Sequence, residues 1–354
     1  MRGRRHFHLN SIIHWIALLE LALIFILLGN MLKTKEPVVQ AKKGPDPTHA
    51  LRLELEACVN ASSKVAEVAP QLSGSCNAPF LRACAQKMWA YESPLSTVPQ
   101  SRAALQRFAR IPDGVIDWDV PAQLALWDKL KRWKPAYDMH SPFHENGMIP
   151  IEDDYVMYAM TMTFEPRTVL EIGSGHSTKT VHNAMLQLPP GHHDAPRQHI
   201  CIEPYRTQVI DTSQEGAIPI RIIQSIVQEV DPAEFAALQK NDILFIDSSH
   251  VIKAFGDTIL ELVFILPLLP AGVIVHIHDI CLPENYPKEW LGSEGSQAEY
   301  TEQFMVAAFL YGNTKWRVLW ANWMMAMDHP ELFRNIGLPG ERHGSIWLVR
   351  TEEP

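Results

Sequence analysis

Short apolar runs that end in polar residues recur through the second half of the chain. Five of them cover residues 168–172, 199–203, 219–225, 242–247 and 273–279, and residues 251–268 and 303–311 between or after them have helical spacing. Near-continuous apolar runs of this length are typical of parallel strands buried on both faces. The alternation predicts an α/β fold with a doubly wound, mostly parallel sheet, closed by strands at 317–320 and 345–350. In such a sheet, ligands bind at the carboxyl ends of the strands.

The first run leads directly into a glycine-containing turn. Glu171 ends the apolar stretch, and Gly173, Ser174 and Gly175 follow it. Glycine fits a tight turn and lets the backbone come close to a ligand, so these four residues are predicted to bind a cofactor. Thr178 stands where a dinucleotide-binding turn has its third glycine, and no phosphate-binding Gly-Lys-Ser/Thr follows. The turn therefore argues against an oxidoreductase that uses NAD and against a nucleoside triphosphate as ligand.

The Glu-x-Gly-x-Gly turn resembles motif I of the class I S-adenosylmethionine-dependent methyltransferases. Further similarity to a branch that methylates hydroxyls of small molecules, such as catechols, sugars and cephalosporins, lies in residues 247–250, 268–279, 283–287 and 301–304. It extends over roughly residues 145–350. The resemblance implies a Rossmann-like methyltransferase fold, S-adenosylmethionine as cofactor and a small-molecule acceptor. Glu203, at the end of the second run, is the residue expected to bind the ribose hydroxyls.

Acidic residues and histidines end the fourth and fifth runs together. Asp247 and Asp279 close neighbouring predicted strands, so we expect both carboxylates in one crevice, where they would suit a divalent cation such as Mg²⁺ or Mn²⁺. Related metal-dependent methyltransferases carry metal-binding acids at these strand ends, although the catechol type has an Asn where Ile280 follows here. His250 and His278 are the alternative catalytic residues, because either could take the proton of the acceptor hydroxyl without a metal.

The beginning of the chain has a different character. Residues 12–32 form an apolar run long enough to cross a bilayer, behind Arg2, Arg4 and Arg5. We expect an uncleaved, single-pass membrane anchor, with a cleaved signal peptide as the rival interpretation. Basic residues flank both ends of the run, so the orientation stays open. Three cysteines lie further on, at positions 58, 76 and 84, and leave open whether a disulfide forms.

Three parts are therefore predicted: an anchor at residues 1–35, a linker and helical lead-in region at 36–140, and a methyltransferase domain at 141–354. The net charge of −9 over 354 residues argues against a nucleic-acid partner, which requires clustered basic residues. The predicted partners are a small-molecule acceptor and, through residues 12–32, the lipid bilayer. A non-catalytic, membrane-tethered protein of the same fold is the alternative to an enzyme.

Overall fold

The computed structural model describes residue 107 and residues 109–140, 149–189, 196–205, 218–287, 300–341 and 344–351. The predicted anchor at residues 12–32 and the cysteines at 58, 76 and 84 lie outside these ranges. Within the described part of the chain, no helix combines the length and the apolar character needed to cross a membrane.

Seven strands form one sheet, as the apolar runs predicted. They are β1 (Thr168–Ile172), β2 (Gln198–Ile202), β3 (Ile220–Ile223), β4 (Ile243–Ile246), β5 (Ile274–His278), β6 (Trp316–Ala321) and β7 (Ser345–Arg350). Their spatial order is β3-β2-β1-β4-β5-β7-β6. The first five strands are parallel, and β7 runs antiparallel to both β5 and β6. The expected doubly wound, mostly parallel sheet is confirmed, together with its closing pair.

Helices alternate with the strands. They are α1 (Val120–Leu130), α2 (Lys134–His140), α3 (Ile151–Phe164), α4 (His176–Gln187), α5 (Pro232–Ala236), α6 (Asp257–Ile259), α7 (Glu302–Leu310), α8 (Asn322–Asp328) and α9 (Pro330–Arg334). Helix α1 belongs to the predicted lead-in region, yet Trp127 on it stacks on Trp320 of β6, with ring centroids 5.3 Å apart. The lead-in helix thus shares the core of the sheet.

The helix predicted over residues 251–268 is shorter than its apolar spacing indicated. Residues 251–256 lie before the start of α6. His250 and Phe255, which also precede the helix, have left-handed backbone angles. Beyond α6 the chain continues as a π-helical turn, Leu260–Ile265, and a 3₁₀ turn, Leu266–Leu268. Pro267 has no N–H to donate, so it cannot extend a regular helix.

The first turn of α3 carries three buried acids that bind distant parts of the chain. Asp153 accepts hydrogen bonds from Asn322 and Ser345, Asp154 accepts from Tyr137 and Thr180, and Glu152 accepts from the backbone N–H groups of Gly340 and Glu341. Acids at a helix N-terminus are also favoured by the helix dipole. These bonds fasten α3 to both ends of the described domain.

Candidate active site at the carboxyl edge of the sheet

The glycine turn lies directly against the end of the neighbouring strand β4. The Gly173 N–H donates to the carbonyl of Ile202, and the Asp247 N–H donates to the carbonyl of Ile172, each at 2.9 Å. Gly173 has a φ of +90°, and a Cβ placed there would lie 2.2 Å from the Asp247 carbonyl oxygen. Only glycine fits this position. The ends of β1, β2 and β4 therefore lie together at one edge of the sheet, where the sequence predicted the ligand to bind.

Glu171 supports the turn from inside the fold. Its side chain is fully buried, and Oε2 accepts a hydrogen bond from the Thr178 hydroxyl at 2.6 Å. The same hydroxyl oxygen accepts the Gly175 N–H at 3.0 Å, while Oε1 of Glu171 lies 2.6 Å from Nε2 of His199. Both carboxylate oxygens thus have partners within the chain. Direct contact between Glu171 and a cofactor stays a prediction, whereas its bond to Thr178 holds the turn in shape.

His199 was missed in the sequence because it looks like one polar residue at the start of an apolar strand. Its other ring nitrogen, Nδ1, lies 3.1 Å from Nδ1 of His182 on α4. Among the described residues, Glu171, His199 and Cys201 are the one group of at least three His, Cys, Asp or Glu residues whose donor atoms all lie within 4.8 Å of one another. Burial raises the pKa of the Cys201 thiol, so it stays protonated.

Glu203 follows β2 and faces the same turn. One carboxylate oxygen, Oε2, accepts the backbone N–H of Ser174 at 3.1 Å and lies 3.3 Å from its hydroxyl. The other, Oε1, accepts the N–H of Tyr205 at 2.8 Å. The structure therefore brings together the glycine turn and the acid that were predicted to bind the cofactor.

The predicted catalytic and metal-binding residues also meet, in a cluster of Asp247, His250, His278 and Asp279 that we call the acid edge. Nε2 of His250 lies 3.2 Å from Asp247 and 3.6 Å from Asp279. Nδ1 of His278 lies 3.5 Å from each of these carboxylates. Each of the two histidines therefore lies beside both aspartates, so acidic and basic side chains alternate in the cluster. Asp247 and Asp279 do not, however, belong to a group of three donors as compact as that around His199.

Ionisation at the acid edge follows from this alternation. Burial alone would lower the pKa of His278, but Asp247 and Asp279 outweigh it and raise that pKa to about 10. In the same way, burial opposes a charge on Asp247, yet His278 and His250 hold its pKa well below the usual range. Burial raises the pKa of Asp279. The edge thus carries cationic imidazoles against ionised Asp247.

A further acid, Glu302, contacts the acid edge from α7. Its Oε2 lies 2.8 Å from Nδ1 of His250, and the side chain is fully buried. In the sequence, Glu302 was noted only within the block 301–304 that resembles other methyltransferases. Nothing in its spacing linked it to His250, which lies 52 positions earlier.

His276, inside β5, belongs to the core rather than to the site. Its ring stacks on Phe245 at a centroid distance of 4.2 Å and lies 4.4 Å from Trp347. Neither ring nitrogen has a hydrogen-bond partner among the described residues. Burial lowers its pKa well below the ordinary value, so the ring is neutral. The histidine at the strand end, His278, is the one that reaches the acid edge.

Comparison with known proteins finds a match over the central part of the domain. Residues 170–280, from β1 to just beyond β5, match the family model described as a methyltransferase domain. That stretch contains the glycine turn, Glu203 and the whole acid edge. No curated protein sequence matches the chain.

Several solved structures are similar at low identity. The O-methyltransferase TomG from Streptomyces achromogenes, in complex with SAM, is 11% identical, with a TM-score of 0.36, over 71% of this chain and 95% of that one. The methyltransferase PaMTH1 from Podospora anserina, bound to SAH, is 16% identical, with a TM-score of 0.35, over 72% and 94%. An O-methyltransferase from Bacillus cereus, in complex with SAH, is 10% identical, with a TM-score of 0.34, over 71% and 96%.

Proposed function

We propose that the chain uses S-adenosylmethionine to methylate a hydroxyl of a small-molecule or sugar-like acceptor. The premise is that residues 170–280 form a methyltransferase domain of the class I type. The match of residues 170–280 to a methyltransferase domain agrees with the resemblance noted in the sequence. Methylation of an oxygen atom and the chemical class of the acceptor molecule are what we propose beyond the family.

The observation that carries the proposal is the contact between the glycine turn and the acid edge. The backbone of Gly173 packs against Asp247, so the predicted cofactor turn and the acid edge lie side by side at the carboxyl edge of the sheet. When bound, S-adenosylmethionine supplies an electrophilic methyl group. The residues of the chain must then hold the acceptor oxygen in line, which can contribute about 7–11 kcal/mol, and accept its proton.

Glu203 and Ser174 are the residues that we assign to cofactor binding beside the turn. A carboxylate at the end of the second strand can accept hydrogen bonds from both ribose hydroxyls. The contact between Ser174 and Glu203 supports this role, because it fixes the carboxylate next to the turn. Glu171 and Thr178 support the same turn from the buried side.

Two chemistries at the acid edge remain alternatives. Asp247 and Asp279 would hold a divalent cation, which would lower the pKa of the acceptor hydroxyl. Their two carboxylates suit Mg²⁺, whereas the nearby imidazoles would favour Mn²⁺, Fe²⁺ or Zn²⁺. In the second alternative, no metal takes part, and His250 or His278 accepts the proton after first losing its own. The alternation of acids and imidazoles in direct contact supports either assignment.

We further propose that residues 12–32 tether the domain to a membrane, so that the enzyme is a single-pass protein with an amino-terminal anchor. The apolar run behind three arginines supports this localisation. Nucleic acid is not proposed as a partner, because the net charge is −9.

Calorimetry with the full chain in detergent tests the cofactor assignment. We expect S-adenosylmethionine and its demethylated product to bind with micromolar affinity, about −8 kcal/mol. If the folded chain binds neither, the non-catalytic alternative replaces the enzyme. Asp247→Ala and Asp279→Ala should keep this binding but lose methyl transfer. Treatment with excess chelator, followed by Mg²⁺ or Mn²⁺, then separates the two chemistries, since full activity in chelator would exclude the metal.

A further inference from the structure

His250 has an unusual backbone conformation that neighbouring groups hold in place. Its φ is +57°, in the left-handed region that a residue with a Cβ seldom adopts. Its carbonyl oxygen accepts two hydrogen bonds, from the N–H of Thr301 at 2.8 Å and from the N–H of Glu302 at 3.1 Å. The Thr301 hydroxyl accepts the N–H of Ile252 at 2.7 Å. Strain of this kind persists where the surroundings fix it, and it occurs often at functional sites.

The side chain of His250 is fixed by the same segment. Glu302 Oε2 lies 2.8 Å from Nδ1, and the ring of Tyr300 lies against the imidazole, with centroids 4.7 Å apart. When Glu302 is ionised, its carboxylate only accepts hydrogen bonds, so Nδ1 carries the proton whether the ring is neutral or cationic. Nε2 is then the nitrogen that faces Asp247 and Asp279.

We infer that Glu302 is a positioning residue: it holds His250 in the Nδ1-protonated form and directs Nε2 into the acid edge. This inference rests on the proposed function, because the acid edge is its proposed reaction site. Among the described residues, Glu302 makes no hydrogen bond to the glycine turn or to the two aspartates, so it acts through His250. The arrangement follows a general rule, in which a carboxylate on one ring nitrogen sets the tautomer and leaves the other nitrogen for chemistry.

The burial of Glu302 is difficult to explain by stability alone. Its Oε1 is buried and has no hydrogen-bond partner among the described residues, although Oε2 is bonded to His250. An acid buried with one unsatisfied oxygen costs free energy, and apolar residues often replace buried ion pairs without loss of stability. An orienting role for the imidazole accounts for a carboxylate at this position.

Nuclear magnetic resonance of the full chain, with ¹⁵N-labelled histidine rings, tests the inference without requiring the acceptor. In the wild type, we expect a slowly exchanging, downfield Nδ1–H signal, which is assigned to His250 by its loss in His250→Gln. Glu302→Gln retains an acceptor oxygen but not the charge, so the signal should persist and move upfield. Glu302→Ala should lose the signal to solvent exchange.

Gln303→Ala is the matched control, because Gln303 is the next residue of α7 and is equally buried. Its side chain instead accepts the N–H of Cys281 at 3.0 Å and donates to the Glu284 carbonyl at 3.2 Å. This variant should lose stability but keep the His250 signal of the wild type. A wild-type spectrum in which Nδ1 carries no proton, or an unchanged signal in folded Glu302→Ala, would overturn the inference.

Cofactor binding keeps this test separate from the proposed function. Both Glu302 variants should bind S-adenosylmethionine within about twofold of the wild type, since the turn and Glu203 are unchanged. If the wild type itself fails to bind the cofactor, the proposed function is wrong, while the resonance experiment still reports on Glu302. Where activity survives chelation, so that His250 can act as the base, Glu302→Ala should lower kcat for the acceptor by about 10²-fold or more, and Glu302→Gln should partly restore it.

Discussion

The hydroxyl of Thr178 joins two groups that shape the cofactor turn, so its removal gives a defined test. Thr178→Val replaces the hydroxyl by a methyl group of similar volume. The substitution removes the hydroxyl that donates to the Glu171 carboxylate at 2.6 Å and that accepts the Gly175 N–H at 3.0 Å. A hydrogen bond to a carboxylate contributes about 1.5–3 kcal/mol, and a neutral one about 0.5–1.5 kcal/mol. We therefore expect the free energy of unfolding to fall by about 2–4 kcal/mol.

Thr161→Val in α3 is the matched control for this substitution. Thr161 is as buried as Thr178, but its hydroxyl donates only to the Met157 carbonyl, one helical turn earlier, at 2.9 Å. That carbonyl also belongs to the helix, so the loss should be about 1 kcal/mol or less. The difference between the two variants comes from the turn and not from exchanging a buried threonine for valine.

Urea unfolding and calorimetry on the full chain measure the two consequences. At a denaturant slope of about 2–3 kcal/mol/M, the Thr178 variant should unfold at roughly 0.3–1.5 M less urea than the Thr161 variant. It should also bind S-adenosylmethionine about tenfold more weakly, because the Gly175 N–H has lost its anchor. If both variants unfold at the same urea concentration and bind the cofactor equally, then the bond between Thr178 and Glu171 does not support the turn.

Three further predictions concern the glycine turn, Glu203 as the residue that binds the ribose hydroxyls, and the membrane anchor. Gly173→Ala should abolish cofactor binding, since its Cβ would meet a backbone carbonyl at 2.2 Å, while Gly312→Ala, at a φ of +66° with nothing within 4 Å, should cost about 1–2 kcal/mol and leave binding intact. Equal binding of S-adenosylmethionine by the two variants would refute the close approach of Gly173 to the Asp247 carbonyl. Glu203→Ala should raise the Kd for S-adenosylmethionine at least tenfold in calorimetry, whereas Glu234→Ala, a surface acid paired with Arg221, should not change it. The full chain should resist extraction from membranes by alkaline carbonate, and a chain lacking residues 1–35 should not; recovery of the full chain in the soluble fraction would contradict the anchor at 12–32.

The sheet was predictable because its strands carry their signal locally. Buried parallel strands read as apolar runs, and the polar residue that ends each run marks the carboxyl edge. The same logic brought Gly173, Glu203, Asp247 and Asp279 to one edge of the sheet, because neighbouring parallel strands end at the same side. The helix over 251–268 was predicted too long, because apolar spacing does not report the left-handed backbone at Phe255.

The side-chain pairs behind the site could not be predicted, because they depend on register and tertiary packing. Glu171 reaches His199 only because β1 and β2 pair with Val169 opposite His199 and Glu171 opposite Cys201. Glu302 reaches His250 because the N–H groups of Thr301 and Glu302, at the start of α7, bond to the His250 carbonyl. In each case, the single residue looked like an isolated polar position.

The position of β7 determines when the domain can finish folding. This strand comes last in the described chain, yet it lies between β5 and β6. During synthesis, β5 and β6 emerge first and leave a gap that only β7 can fill. Contacts that join distant parts of a chain form slowly, and unpaired strand edges are prone to aggregation until they form. Until β7 has been made, the edges of β5 and β6 that face it stay unpaired, so deletion within β7 should harm folding more than an equal deletion from a surface loop.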